Sequence, residues 1–402
     1  MLRSIVICPD RELSTKLTRA LEASGAVNVM RAADKYPEPG ELPRSLRTVG
    51  AEILFLSFER IDKALQIMQV LEKEANHVQV VAVHRTLDPN VLREGMRSGV
   101  REFLADPFEK KAVWEALSHL KDLLQKNPVH YETTNQIFTF VPSKAGAGTS
   151  TTALNVSAAL ARRQGSKVLL SDFDLNSGMV RFLLQLNNPH SVPEACEHCD
   201  ELDENLWPQL VTKIKGLDVL HAGRINPNVR IEAAQVRTLL SFVRRNYEML
   251  VFDVSGNLER YSMELMQESK RVFMVCTPEI PSLHQAREKM AFLKEMELES
   301  RISVILNRNG KKPLFTNKQV ADIVGAPVVC SMPNDYQGVA RALTNGTLVE
   351  PESELGRAYA GFAASLVGDD QPVAASPTKV EVKRKFMEFL AVPPNSRATA
   401  QD

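Results

Sequence analysis

The sequence predicts an α/β protein in two blocks of strand–helix–strand units, the second forming a large doubly wound, mostly parallel sheet. Short apolar runs alternate with helical patterns through most of the chain, and that alternation builds strand–helix–strand units with parallel strands. A polar, Pro-containing stretch at residues 127–136, "NPVHYETTNQ", breaks the alternation as a linker does. With 402 residues, the chain is also longer than one ordinary core accommodates.

In the first domain, set at residues 1–126, the expected strands are "SIVIC" (4–8), "EILFLSF" (52–58), "VQVVAV" (78–83) and "REFLADPF" (101–108). Residues 110–126 have the apolar spacing of a closing helix. The second domain, 137–368, opens on "IFTFVPS" (137–143) and continues through "KVLLSDFD" (167–174), "LDVLHAG", "YEMLVFDVSG" (247–256), "RVFMVCTPE", "RISVILNR" (301–308) and "PVVCSMPND". At 369–402 the composition shifts to a connector expected to be disordered and a short amphipathic tail, "KVEVKRKFMEFLAV". Helical spacing in that tail puts Val382, Phe386, Phe389 and Leu390 on one face beside Lys379, Lys383, Arg384 and Lys385. A solvated or partner-docked helix is favoured there, with membrane contact as the alternative.

Lys+Arg and Asp+Glu both count 49, so no global positive field draws the chain onto DNA, and DNA is not an expected partner. No run approaches the roughly twenty apolar residues of a membrane span, and the N-terminal apolar run is too short for a signal peptide. The expected location is therefore the cytoplasm. Five cysteines, an odd number, fit reduced thiols better than a disulfide framework. Cys196, His198 and Cys199 have no second ligand pair at zinc spacing, and Cys8, Cys276 and Cys330 lie in apolar strand patterns as small core residues.

The chemistry concentrates in "PSKAGAGTSTTA" (142–153). Gly146 and Gly148 let backbone N–H groups turn toward an anion, and a helix starting near Ser150 aims its positive end at the same point. The Ser150 hydroxyl suits Mg²⁺. A phosphate loop normally has lysine after its last glycine; here Thr149 follows Gly148, and the lysine stands earlier, at Lys144. Asp172 and Asp174 end one expected strand and Asp253 another, where open α/β sheets bind ligands. Taken singly, each has a plainer reading as a cap or turn residue.

The string K-A-G-A-G-T-S-T resembles the deviant Walker A of the MinD/ParA group, K-G-G-x-G-K-[ST]-T. The resemblance implies a P-loop NTPase that binds ATP and Mg²⁺ and dimerises through its ATP face. Lys144 is then the signature lysine reaching the partner protomer's nucleotide, and Ala145, Gly146, Ala147, Gly148, Thr149, Ser150 and Thr151 line the phosphates. Ser150, Asp172 and Asp253 hold the metal shell, and Asp174 positions water. Asn307, with Arg308 beside it in "ILNR", reads adenine, and Pro333 in "MPND" (332–335) closes over the base. Lys144 and Asp174 are the catalytic candidates. The departures are Ala145, in place of a glycine, and Thr149, which removes the in-cis cation. Because electrostatic stabilisation dominates phosphoryl transfer, retained ATP binding with weak or absent hydrolysis is expected.

The first domain resembles a receiver (flavodoxin-like) domain of response regulators in strand order and in "REFLADPFEKKAVWEAL". Ser57 stands at the phosphorylated position and Asp106 at the lysine position, and the acidic pair reduces to Asp10. That makes it a pseudo-receiver, suited to dimerisation or docking. A pseudo-receiver fused to this ATPase type, with "LLSDFDLNSGMVRFLLQL" as its switch segment, is similar to the CpaE/TadZ family. That resemblance implies a homodimer that localises Flp-type (Tad, type IVb) pilus machinery, at a pole or the inner membrane surface, and recruits its secretion ATPase. The alternative is an active MinD/ParA-like ATPase in positioning or DNA partition.

Overall fold

Strands form where the apolar runs lie, and the central ones, such as Ile53–Ser57, Val168–Phe173 and Met249–Val254, are buried on both sheet faces. The computed structural model describes residues 1–38, 40–86, 88–163 and 166–367. They divide into two compact units: Met1–Thr133 with Asp200–Pro208, and Thr134–Cys199 with the described residues from Gln209 onward. The expected connector and tail helix at 369–402 lie outside the described residues. Among the described residues, no helix is long and apolar enough to cross a membrane.

The first unit holds β1 (Leu2–Ile7), β2 (Val27–Ala33), β3 (Ile53–Ser57), β4 (Gln79–His84) and β5 (Glu102–Ala105). They form one parallel sheet in the order β2-β1-β3-β4-β5, the flavodoxin-like arrangement. Alternate residues feed opposite cores: Ile5, Ile7, Leu54 and Leu56 on one face, and Val6, Ile53 and Phe55 on the other. β2 is not among the expected runs. It is an edge strand buried fully only at Val27, with Arg31 in its middle, so its apolar signal is weak. Where the strand order reverses, between β1 and β3, the charges are already matched. Asp10 caps the following helix through the Glu12 and Leu13 N–H groups and pairs with Arg85, while Lys16 donates to Asp106 at 3.0 Å. Ser57 is fully buried.

The second unit contributes β6 (Ile137–Pro142), β7 (Val168–Phe173), β8 (Thr212–Ile214), β9 (Leu217–Leu220), β10 (Met249–Val254), β11 (Arg271–Cys276), β12 (Ile302–Asn309) and β13 (Val328–Pro333). The sheet runs β13-β12-β11-β6-β10-β7-β9-β8, with β6 central. Every pairing is parallel except β8–β9. β8 is also absent from the expected strands, because three residues are too few to display a period. The helices Thr149–Ala161 and Glu354–Val367 share one hydrophobic core over the sheet. At its centre Phe273 lies 5.2 Å from the Phe140 ring, 6.2 Å from Phe138 and 5.1 Å from Phe362, tying β11, β6 and the last helix together.

Phe273→Ala empties the middle of that aromatic group and is expected to destabilise the second unit by about 3–5 kcal/mol. Denaturant unfolding of wild type and variant measures the difference.

Candidate functional site

β6 ends at Pro142 in the middle of the sheet, and the chain leaves it as the loop of residues 143–148 before entering the helix Thr149–Ala161. The loop is tied down at both ends. Ser143 donates its N–H to the Val275 carbonyl at 2.9 Å, and its hydroxyl shares a 2.8 Å hydrogen bond with Ser282. At the far end Asn307 of β12 donates its side-chain amide to the Ala147 carbonyl at 2.8 Å. Gly148 caps the helix at φ +91, and a Cβ there would come within 2.3 Å of that same amide. Glycine is thus required twice over, for backbone conformation and for contact with Asn307. Gly146 also has positive φ. Gly148 provides no capping side chain, so the first helical N–H groups face the loop without an acceptor from it.

Thr149, where the lysine would stand, is 6% exposed, and its hydroxyl finds no hydrogen-bond partner among the described residues. Lys144 is partly exposed at the loop mouth with its Nζ 3.3 Å from Glu279, the residue that begins the helix Ile280–Glu295. Ala145 is exposed within the loop, and Thr151 lies in the first turn, its carbonyl accepting from Asn155 at 2.8 Å. Arg308 is exposed with a left-handed backbone at φ 55, and Pro333 closes β13.

Asp172 and Asp253 sit opposite each other in register on β7 and β10, and both are buried. Burial pushes the Asp172 carboxyl up to about 7 against the pull of backbone N–H donors, and the Asp174 charge adds to the rise. Burial also drives Asp253 well above the usual carboxylate range, and the Asp172 charge adds to it; the Ser150 hydroxyl opposes the shift. Asp172 accepts from the Asp174 N–H at 3.1 Å and the Val180 N–H at 3.0 Å, so it also holds the loop after β7. Asp253 Oδ2 has no partner among the described residues. Two buried carboxylates in register, an orphaned carboxylate oxygen and a facing serine hydroxyl are donors that fit a divalent cation. Mg²⁺ there would be held by Asp253 and Ser150, with Asp172 alongside.

Asp174 folds its own loop, accepting from the Asn176 and Ser177 N–H groups and from the Ser177 hydroxyl at 2.8 Å. Glu259, after β10, accepts from the Ser255 hydroxyl at 2.7 and 2.8 Å and from the Asn176 amide at 2.7 Å. Glu279, Glu259 and Asn176 carry no signal of their own in the sequence, being polar residues in polar loops.

A phosphate loop on the central strand, a helix N-terminus above it and paired carboxylates on the neighbouring strands define a P-loop NTPase site with a displaced lysine. Residues 137–391 match the family described as 4Fe-4S iron sulfur cluster binding proteins, NifH/frxC family, and the chain belongs to that family. The septum site-determining protein MinD of Synechocystis is 25% identical over 64% of this chain and 94% of its own. The nitrogenase iron protein of Methanospirillum hungatei is 24% identical over 60% of this chain and 92% of its own. The ParA family ATPase of Chlorobium tepidum superposes with a TM-score of 0.54 at 24% identity, covering 57% of this chain and 99% of that one. The second unit therefore has the MinD/ParA-type P-loop ATPase fold.

The cysteines do not fit an iron–sulfur cluster. Cys196 and Cys199 are buried beside each other, Cys276 is buried at the end of β11, and Cys330 lies on β13. No three His, Cys, Asp or Glu side chains among the described residues come together as a metal group. Burial pushes the Cys196 and Cys276 thiols up to about 12, which disfavours the thiolate that ligates iron.

Because folding raises the Asp172 pKa, its contribution to stability is present below the ordinary carboxylate range and is lost as pH rises to about 7. Asp172→Asn is expected to gain melting temperature relative to wild type between pH 4 and pH 8 (~4 °C per kcal/mol regained), on top of a pH-independent offset from the altered backbone hydrogen bonds. Mg²⁺ is expected to raise the wild-type melting temperature more at pH 8 than at pH 5. Thermal unfolding across pH measures both.

Proposed function

We propose that the chain is an ATP-binding localisation and assembly factor whose nucleotide stabilises a homodimer, with weak or absent hydrolysis. Its machinery is the Flp-type (Tad, type IVb) pilus or a related secretion system. The observation that carries the nucleotide part is Thr149, buried with an unpartnered hydroxyl where the in-cis cation belongs, in a loop that departs from the pattern elsewhere only at Ala145. Backbone amides, a helix terminus and a carboxylate pair that fits Mg²⁺ support binding; the missing cation is what turnover needs most. Lys144 at the loop mouth supports a role toward a partner's nucleotide, and its exposed pairing with Glu279 is weak enough to exchange.

The pilus assignment rests on the CpaE/TadZ resemblance, a receiver-like unit preceding a deviant Walker A. The flavodoxin-like strand order supports a receiver-like first unit. Ser57, and Asp106 bonded to Lys16, leave it without aspartyl-phosphate chemistry, as a docking or dimerisation module. The protein then works on the cytoplasmic side, at a pole or the inner membrane surface, and recruits the secretion ATPase.

ATP binding, turnover and mass by light scattering test the reading on wild type, Lys144→Ala and Thr149→Lys. Wild type is expected to bind ATP with Mg²⁺ and double its mass with little turnover. Lys144→Ala should bind but remain monomeric, and Thr149→Lys should raise turnover by about 10². A wild-type protein that neither binds ATP nor changes mass removes the switch; fast wild-type turnover favours an active positioning or partition ATPase instead.

A further inference from the structure

The helix Ile280–Glu295 turns Ser282, Leu283, Ala286, Met290 and Leu293 inward. Lys289 lies on that same stripe, seven residues from Ser282 and three from Ala286. A lysine there is out of pattern, since lysines are rarely buried without a partner charge. Its stem is half-buried, and its ammonium donates to the Pro142 carbonyl at 2.8 Å, the last strand residue before the phosphate loop. A Cβ on Gly256 would come within 2.6 Å of the same Nζ. Gly256 follows Asp253 by three residues, so the ammonium rests between the ends of β6 and β10, the strands that launch the loop and hold Asp253.

One carbonyl satisfies one of three ammonium donors. No carboxylate lies within ion-pair distance of Lys289 among the described residues. Burial lowers its affinity for the proton, and the Glu259 charge opposes this at longer range. A half-buried cation with spare donors is under-compensated, and an anion is the complement it lacks. Thr149 lacks the cation that such a loop provides. The surplus and the deficit adjoin the same loop.

We propose that Lys289 supplies the positive charge that Thr149 does not, and that it binds the terminal phosphate of a nucleoside triphosphate, making the site prefer triphosphate over diphosphate. This rests on the nucleotide-binding reading above. The chemistry is a charge-assisted hydrogen bond from an ammonium to a phosphate oxygen, with no covalent step.

The test is calorimetric titration of the full chain with ADP and with the non-hydrolysable analogue AMP-PNP, both with Mg²⁺. Lys289→Met keeps the length of the stem and removes the charge. It is expected to weaken AMP-PNP binding about ten- to a hundredfold while leaving ADP binding within about twofold. Lys289→Arg should keep the preference, and adding Thr149→Lys to Lys289→Met should restore it. If Lys289→Met does not fold, Lys289→Gln, which keeps a donor for the Pro142 carbonyl, is titrated in its place. Equal weakening of both nucleotides assigns Lys289 to support of the β6 end and overturns the proposal, as does no change in either. Wild type that binds neither nucleotide overturns the nucleotide reading and this proposal together, an outcome distinct from wild-type binding that is insensitive to Lys289.

Discussion

Asp172 and Asp253 sit in register on two neighbouring parallel strands, both buried. Two carboxylates buried in register cannot both ionise at little cost: burial raises both, and the Asp172 charge raises Asp253 further. Much of the second unit answers that constraint. Backbone N–H groups of Asp174 and Val180 close on Asp172, which fixes the loop after β7, and Ser150 at the start of the loop helix faces Asp253. The free Asp253 oxygen is where a cation would relieve what protons otherwise must. The loop after β7 and the start of the loop helix therefore meet at one electrostatic problem.

The same logic covers the positive side. The site has its cations in unusual places: Lys144 at the mouth against Glu279, Lys289 half-buried under the strand end, and none after Gly148. An anion entering such a site meets backbone dipoles first and ammonium groups at its flanks. On the proposed reading, binding and turnover depend on different residues, so that the loop keeps the one while losing most of the other.

The strands with strong apolar runs were legible because burial on both faces leaves an unmistakable pattern, as in "MLVFDV" of β10. β2 and β8 were not, for opposite reasons: β2 mixes Arg31 and half-exposed positions at a sheet edge, and β8 is only three residues long. In the site, the loop and the strand-end aspartates were legible because their spacing is local. Asn307 was expected to offer its amide to a base edge, but its bond to the Ala147 carbonyl joins residues 160 apart and has no local trace. Glu259, Asn176 and Glu279 are ordinary polar loop residues whose meaning comes only from what folds against them. Lys289 is the intermediate case, since a lysine on the apolar stripe of a helix is a readable anomaly, although its target is not.

The Asn176–Glu259 hydrogen bond has a mechanical consequence. Asn176 belongs to the turn organised by Asp174, and Glu259 gathers Ser255 and Ser262 around the start of the next helix. The two segments that flank the carboxylate pair are thus yoked by one exposed bond, so displacement of either loads the other. Any coupling that bond carries is reciprocal: a ligand that shifts one loop changes affinity at the other by the same factor as the converse. Such a yoke ties movement of the surface near Asn176 to movement of the segment that follows Gly256.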